Sequence, residues 1–367
     1  MRVPYNYLPM QFEDSDAIFA DWKKLIASTE FTLGPVMEAF EEKFANYVGM
    51  KHCIATNNGT DALILAFKSI GLKPGDEAIT VCNTFYATVG AIVACGATPV
   101  FVDCDERFQI DASKIEVAIT PNTKVIVPVH WGGASPDMDA IVAIAAKHNL
   151  EIVEDACMGI GASINGRSPG TYGRVNAYSM HPLKSLNVMG DGGMVVTNND
   201  SLAAWMCKYR NHGMIDRNHI EFWGINMRLQ PLQAVVASHG LDELPSVIQK
   251  RKHNADRLDK GLQNIKPYVT LPARPSGYLE TYALYMGLFE KRDEILRYLV
   301  DNEIEAKIHY PLPLHLQQAA DSMGYAKGSF PVAEEQADKL ITLPIHQFVD
   351  DEQVDFMIEK INFFYNT

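Results

Sequence analysis

The chain has 367 residues, of which 47% are hydrophobic and 21% are charged, and its formal net charge is −13. This composition is typical of a globular protein long enough for two domains, and the negative charge argues against binding to nucleic acid or to an anionic membrane surface. The opening residues, MRVPYNYLPMQFEDSD, lack the apolar segment of a signal peptide and no apolar run has the length of a membrane span, so we expect a cytoplasmic protein.

The first two thirds of the chain alternate short β-rich segments with helical segments. The predicted strands are, in chain order, KHCIAT, EAITVC, TPVFVDC, KVIVPVH, EIVEDA, AYSM and GMVVT. Helical patterns such as TDALILAFKSIG, TVGAIVACG and DMDAIVAIAAKHN lie between several of them. Apolar strands separated by amphipathic helices predict an α/β fold, with a mostly parallel central sheet flanked by helices. Because ligands bind at the carboxyl ends of such strands, we expect the chemistry in the loops that follow them.

The pattern changes after about residue 240. A long charged helix is predicted over residues 244–265, and it is suited to bridging two domains. A strand, a helix, a second strand and a final helix are then predicted over residues 282–289, 290–304, 305–312 and 350–366. We therefore expect a large α/β domain over residues 1–240 and a smaller α+β C-terminal domain over residues 241–367.

The first strand is followed directly by NNGTDAL, which opens a helix. Backbone N–H groups at the N-terminus of a helix point outward and favour an anion. Gly59 and Thr60 stand at this position, and Thr60 could add a hydroxyl donor to a phosphate site. A Gly-Thr pair also begins helices for purely structural reasons, so both interpretations stay open here.

The strand EIVEDA ends in two carboxylates, Glu154 and Asp155. They could be a solvated strand end or a helix cap, or Asp155 could hold a cationic ring nitrogen or a metal ion. No cluster of His, Asp and Glu with the spacing of a metal site lies nearby, which favours an organic cation. The six scattered cysteines form no CxxC pair and are expected to be reduced, without a disulfide or metal role.

The strand AYSM places Ser179 five residues before Lys184, in the stretch SMHPLKSLNVMGDGG. A lysine in such a loop is either a solvated surface charge or an amine that projects into a pocket as a nucleophile. Phe85, after the second strand, could stack on a ring or pack in the core. Pyridoxal phosphate requires a lysine for its aldehyde, an acidic partner for its ring nitrogen, donors for its phosphate and an aromatic residue that stacks on its ring. We therefore interpret Lys184 as a catalytic amine.

The chain resembles the DegT/DnrJ/StrS family of fold-type-I pyridoxal-phosphate sugar aminotransferases over essentially its whole length. The matching stretches, in order, are LGPVMEAFEEKFANYVGMKHCIATNNGTDAL, NTFYATVGAIVACGATPVFVD, EDACMGIGA, YSMHPLKSLNVMGDGGMVVTN, NHG, GINMRLQPLQAVVA, IHYPLPLH and LPIH. The resemblance implies that Lys184 is the Schiff-base lysine and that Asp155 pairs with the pyridine nitrogen. It implies the phosphate donors Gly59, Thr60 and Ser179, and ring stacking by Phe85.

The resemblance also implies a homodimer with active sites at the subunit interface. Asn226, in GINMR, matches an asparagine that reaches the cofactor phosphate of the neighbouring subunit. The helix that follows has an apolar face suited to interface packing, formed by Leu229, Leu232, Val235 and Val236. The alternative is a helix that covers the sheet within its own chain.

Two positions depart from the family pattern. Met158 replaces the glutamine of EDAAQ, which contacts the phenolic oxygen of the cofactor, and a methionine has no N–H to donate. The stretch HWGG (130–133) stands where relatives usually carry an aliphatic-aromatic-Gly run, and Trp131 could reshape the substrate pocket. Further candidates for substrate contacts are His181, which could equally be structural, and His309 and Tyr310 in IHYPLPLH.

The resemblance implies ping-pong transfer of an amino group from a donor, expected to be L-glutamate, to a nucleotide-linked 3-keto or 4-keto deoxyhexose in amino-sugar biosynthesis. A smaller phosphorylated ketone or a sugar phosphate is an alternative acceptor. A dehydratase is a further alternative, although related keto-deoxysugar dehydratases carry histidine where this chain has Lys184. A catalytically silent regulatory protein is the alternative outside enzymes.

Overall fold

The computed structural model describes residues 1–366, so Thr367, the last residue of the expected C-terminal domain, lies outside the described part. The α-helices are α1 Leu8–Gln11, α2 Asp16–Ser28, α3 Pro35–Val48, α4 Gly59–Ser69, α5 Tyr86–Ala94, α6 Met138–His148, α7 Asp200–Tyr209, α8 Pro231–Leu262, α9 Arg292–Asp301, α10 Pro331–Lys339 and α11 Asp351–Asn366. The strands are β1 His52–Thr56, β2 Glu77–Val81, β3 Thr98–Val102, β4 Thr123–Val127, β5 Glu151–Ile152, β6 Ser163–Ile164, β7 Asn176–Ser179, β8 Gly193–Thr197, β9 Val269–Thr270, β10 Tyr278–Leu279, β11 Tyr285–Phe289 and β12 Leu340–Leu343. Within residues 1–366, no helix combines the length and apolarity needed to cross a membrane.

The central sheet joins two groups of strands. One is a parallel group in the order β3-β2-β4-β5, and the other has the order β1-β8-β7. Parallel bridges from Val129 to Asp155 and from Asp155 to Ala177 connect them. Both neighbours of β8 pair with it antiparallel, so β8 alone reverses direction within this sheet. The prediction of a mostly parallel sheet is confirmed. The sequence pattern predicts a strand at GMVVT but not that this strand, β8, runs antiparallel to its neighbours.

Helices cover both faces of the sheet, as predicted. Along β8, Met194 and Val196 belong to one apolar cluster, whereas Val195 between them belongs to another. Successive side chains of a strand point to opposite faces, so these two clusters lie on opposite sides of the sheet. The first cluster packs α2, α3 and α8 against the strands, and the second packs α4, α5 and α7.

The long helix α8 begins earlier than the predicted helix over residues 244–265. Pro231 opens it at a position where its missing N–H is not needed, and Gln230 and Gln233 form a capping box. The expected domain boundary at residue 240 therefore falls inside a continuous helix. The division at that point stays a prediction.

The C-terminal part contains a second sheet, of order β12-β11-β9, against which α9 and α11 pack. The strand predicted over residues 305–312 is wrong, because that segment forms only an isolated bridge between Lys307 and Thr342. The strand partners of β11 are instead β9 and β12, and β12 comes after α10. A short apolar run cannot specify its partner, so periodicity did not distinguish these two segments.

Candidate active site

Loops at the carboxyl ends of the parallel strands surround a cavity of about 640 Å³. All of the site residues expected from sequence line this cavity except Asn226: Gly59, Thr60, Phe85, Trp131, Asp155, Ser179, His181, Lys184, His309 and Tyr310. The cavity therefore lies at the edge where ligands usually bind to parallel sheets. Distant stretches of sequence meet because their strands are neighbours.

Lys184 lies in the loop between β7 and β8, and its half-buried side chain reaches the cavity. The loop is held at the backbone: the Lys184 N–H donates to the carbonyl of His181 (2.8 Å), and the Lys184 carbonyl accepts from the Tyr7 hydroxyl (2.9 Å). Burial lowers the pKa of Lys184, and the nearby Cys157 and Asp155 partly oppose this effect. A lysine with a lowered pKa is a better nucleophile and base near neutral pH.

Asp155 follows β5 and is buried, which rules out a solvated strand end. Its carboxylate accepts hydrogen bonds from the Thr88 hydroxyl (2.7 Å) and from the backbone N–H of Cys157 (3.2 Å). Its backbone N–H donates to the carbonyl of Pro128 at 2.9 Å, which anchors the residue to the neighbouring segment. Asp155 is therefore a rigidly held carboxylate in the wall of the cavity.

The neighbouring carboxylate, Glu154, is fully buried and organises a loop. It accepts hydrogen bonds from the backbone N–H groups of Gly170 (2.7 Å), Tyr172 (2.6 Å) and Gly173 (2.8 Å). Its Oε2 also lies 2.8 Å from Nε2 of the buried His130. These contacts occupy both oxygens of Glu154, so it has a structural role and does not line the cavity.

The N-terminus of α4 and Ser179 form one end of the cavity. Asn58 caps the helix by accepting from the backbone N–H of Asp61 at 2.8 Å. A Cβ atom placed on Gly59 would come 2.7 Å from Cβ of Ser179, so a side chain at this position would clash. Thr60 is half-buried at the same end. Free backbone N–H groups and two hydroxyls in this arrangement suit a phosphate.

Three aromatic rings form another wall. The ring centroid of Tyr310 lies 6.2 Å from that of Phe85 and 5.7 Å from that of Trp131. Phe85 remains 39% exposed in the cavity, so it does not pack in the core. Trp131 is buried in the wall, and its indole N–H has no hydrogen-bond partner among residues 1–366. Burial raises the pKa of Tyr310 to about 12, so it stays a protonated phenol.

Two histidines face the cavity with different environments. The Nδ1 atom of His309 lies 3.1 Å from the Thr342 hydroxyl, and burial lowers the pKa of His309 to about 4. His309 is therefore neutral near neutral pH. His181 is exposed, and partial burial together with the charge of Lys184 lowers its pKa. His181 lines the cavity from the same loop as Lys184.

The side chain of Met158 lines the cavity. Its backbone carbonyl accepts a hydrogen bond from the Thr281 hydroxyl at 3.2 Å, which holds the residue in place. A thioether has no N–H, so the donor that a glutamine would offer here is missing.

Several cavity residues were missed by sequence reasoning. Tyr5, Tyr7, Arg251 and His346 line the cavity from the N-terminal segment, from α8 and from the segment after β12. Arg251 is fully buried and donates to the carbonyl of Tyr282 and to the side chain of Gln347, but no carboxylate within residues 1–366 pairs with it. No local pattern marks these residues, because only packing brings their segments to the site.

Asn226 lies on an exposed loop outside the cavity of its own chain. Its side-chain oxygen accepts from the backbone N–H of Arg228 at 3.3 Å, and its backbone bridges to Asn211. Any contact of Asn226 with a cofactor phosphate therefore requires a second subunit.

A lysine amine and a buried carboxylate line one cavity at the carboxyl edge of this mainly parallel sheet, as expected for a pyridoxal-phosphate enzyme of fold type I. Residues 13–362 match the DegT/DnrJ/EryC1/StrS aminotransferase family. The chain belongs to this family.

Relatives cover nearly the whole chain. It is 38% identical to the pleiotropic regulatory protein of Geobacillus stearothermophilus, over 100% of this chain and 99% of that protein. It is 36% identical to the dTDP-3-amino-3,4,6-trideoxy-alpha-D-glucose transaminase of Micromonospora megalomicea subsp. nigra, over 97% of each. The crystal structure of S. venezuelae DesV in complex with a ketimine intermediate superimposes with a TM-score of 0.97, at 36% identity, over 100% of this chain and 99% of that one.

Proposed function

We propose that this aminotransferase uses pyridoxal 5′-phosphate to transfer an amino group from L-glutamate to a nucleotide-linked keto sugar, in amino-sugar biosynthesis. The observation that carries the proposal is the position of Lys184, whose amine enters the same 640 Å³ cavity as the buried carboxylate of Asp155. The similarity to the sugar transaminase of Micromonospora megalomicea and to DesV supports a keto sugar as the acceptor.

The residues of the cavity fit this cofactor. The N-terminus of α4 with Ser179 suits its phosphate, and the missing side chain at Gly59 keeps this end open. Asp155 suits its ring nitrogen, Phe85 suits its ring face, and Lys184 suits its aldehyde. Thr60 would add a hydroxyl to the phosphate end.

When bound, the cofactor supplies an aldehyde that carries the amino group and a ring that withdraws electrons. Burial lowers the pKa of Lys184, which makes its Nζ a better base for taking the proton from the α-carbon of the donor. Asp155, oriented by Thr88, would hold a proton on the ring nitrogen of the bound cofactor. In the second half of the cycle, Lys184 returns a proton to the carbon that receives the amine.

The choice of an acidic donor has support within the cavity. Arg251 is a buried guanidinium without a carboxylate partner in the described chain, and a buried charge needs a counter-charge. Three aspartates, Asp61, Asp155 and Asp191, line the same cavity together with Lys184, but none of them forms an ion pair with Arg251. A dicarboxylic amino acid such as L-glutamate would supply the missing negative charge.

A spectroscopic assay tests the reaction. We expect the purified protein to show the visible absorbance of bound cofactor and to lose it when L-glutamate is added. Addition of a nucleotide-linked 3-keto or 4-keto sugar should then restore the absorbance and produce an amino sugar. Absence of the band would favour a silent protein, and a loss of ammonia without amino-sugar formation would favour a dehydratase.

The homodimer with shared active sites is also a proposal. The apolar helix face that we predicted at the interface packs within its own chain. Leu229, Val235 and Val236 are buried there, and of the four predicted residues only Leu232 is exposed. Two exposed apolar residues lie beside Asn226 instead, namely Trp223 at 87% and Ile225 at 47% exposure. Apolar surface of this kind favours a protein contact.

A mixing experiment tests the shared site. We expect Lys184→Ala chains and Asn226→Asp chains to be inactive alone and to regain activity when mixed, because one interface of each hybrid then carries both intact residues. The aspartate at residue 226 would repel a phosphate and keep a similar shape. Confirmed subunit exchange without recovered activity would show that each chain holds its own complete site.

A further inference from the structure

Three side chains of the types that ligate metals lie together at the carboxyl ends of β2 and β3. Strands β2 and β3 are parallel neighbours, and Val81 pairs with Val102 at their carboxyl ends. Cys82 follows β2 directly, and Asp103 and Cys104 follow β3. The two sulfur atoms and one carboxylate oxygen lie within 4.8 Å of one another, and all three residues are buried.

A buried histidine lies next to this cluster, although its ring nitrogens are not within 4.8 Å of all three ligand atoms. His315 is 3% exposed, and the backbone N–H of the preceding residue, Leu314, donates to the carbonyl of Cys82 at 2.8 Å. Nε2 of His315 lies 2.9 Å from Glu334, whereas its Nδ1 has no hydrogen-bond partner among residues 1–366.

This arrangement has the features of a metal ligand set. A histidine that ligates a metal usually donates its other N–H to a carboxylate, as His315 can do to Glu334. The unpartnered Nδ1 is then free to coordinate, and a buried nitrogen without a partner is otherwise unfavourable. Two sulfur atoms bound to one zinc ion lie about 3.8 Å apart. The ligand atoms of Cys82, Cys104 and Asp103 are at most 4.8 Å from one another, so a small movement of these side chains would bring them to that distance.

We propose that Cys82, Cys104, His315 and Asp103 bind a structural zinc ion. Two thiolates, an imidazole and a carboxylate are ligands that Zn²⁺ accepts in tetrahedral geometry. Binding replaces the proton of each thiol, so two protons pass to the buffer for every zinc ion bound. Asp103 also accepts from the backbone N–H groups of Val332 and Ala333, which keeps its carboxylate oriented.

The position of the cluster indicates what the ion would do. Cys82 lies three residues before Phe85, and His315 lies five residues after Tyr310. A zinc ion between them would tie together the two segments that carry the aromatic wall of the active-site cavity. With four protein ligands no position remains for a substrate, so the role would be structural and not catalytic.

Metal analysis tests the proposal. The protein is produced in medium containing Zn²⁺, or Co²⁺ in a parallel culture, then dialysed and analysed for metal by mass spectrometry. We expect about one metal ion per chain, and visible Co²⁺ bands between about 600 and 750 nm that indicate tetrahedral thiolate coordination. Less than about 0.1 metal ion per chain in the unmodified protein would overturn the proposal, as would a Cys82–Cys104 disulfide in the purified protein.

Two variants and a matched control locate the metal. Cys104→Ser and His315→Asn should each reduce the bound metal at least tenfold, whereas Cys95→Ser, at another buried cysteine far from the cluster, should retain it. Metal retained in both cluster variants would place the ion elsewhere and refute the assignment. If a variant does not fold, a zinc chelator added to the unmodified protein should lower its Tm, and an unchanged Tm would count against a structural ion.

Discussion

Gly59 offers a quantitative test of the phosphate end of the cavity. In Gly59→Ala, the new methyl group would lie 2.7 Å from Cβ and 3.0 Å from Oγ of Ser179, and 3.2 Å from Sγ of Cys157. Favourable carbon contacts are about 3.5–4.0 Å, and a change of rotamer cannot move a Cβ atom. The N-terminus of α4 must therefore shift away from Ser179. Overpacking of this kind costs about 1–3 kcal/mol.

The same shift should weaken cofactor binding, because it separates the helix N-terminus from the Ser179 hydroxyl. If the whole penalty falls on the bound state, 1–3 kcal/mol corresponds to a roughly 5- to 150-fold higher Kd for pyridoxal phosphate. Equilibrium dialysis measures this Kd, and urea unfolding of the cofactor-free protein measures how much of the penalty falls on the fold.

Gly90→Ala is the matched control. Gly90 lies inside α5, and no atom lies within 4 Å of the position of its Cβ. Alanine is the better helix former, so this change should stabilise the protein by up to about 1 kcal/mol and leave the Kd unchanged. A Gly59→Ala protein with a Kd within a factor of two of the original and unchanged unfolding would refute the packing argument.

Three further outcomes are expected. Lys184→Ala should abolish amino transfer and the visible absorbance of bound cofactor while circular dichroism shows an intact fold; undiminished turnover would exclude the proposed role. Asp155→Asn should still bind cofactor but react roughly 100-fold more slowly, since an amide cannot hold the ring nitrogen protonated. A near-normal rate would mean that Asp155 has only a structural role. The pKa of His309 is about 4 in the folded protein and about 6.5 in the unfolded chain. Between about pH 6.5 and pH 4 the unfolded chain therefore binds a proton at His309 that the folded protein does not. The free energy of unfolding accordingly falls as the pH is lowered through this range. His309→Asn should lose less stability than the original between about pH 6.5 and pH 4 in urea titrations, and an equal loss would mean that His309 is not buried as described.

Residues that act at the ends of strands could be found from sequence. Gly59, Asp155, Ser179 and Lys184 each follow or end a segment whose apolar run marks it as a strand, and the parallel topology then brings those ends to one edge. The chemistry of the residue types narrowed the cofactor to one with an aldehyde, a ring nitrogen and a phosphate. Asn226 could be named only through the family resemblance, because its expected partner group lies in another subunit.

The sequence by itself determined the alternation of strands and helices, the sheet type and the amine-carboxylate pair, because periodicity and residue chemistry are local properties. Only the tertiary structure decided that β8 runs antiparallel, that Glu154 is buried against a loop while Asp155 faces the cavity, and that Val235 and Val236 pack within their own chain. It alone brought Arg251 to the cavity. These features depend on contacts between segments far apart in the chain, and a local pattern states which residues are apolar or charged but not what lies opposite them.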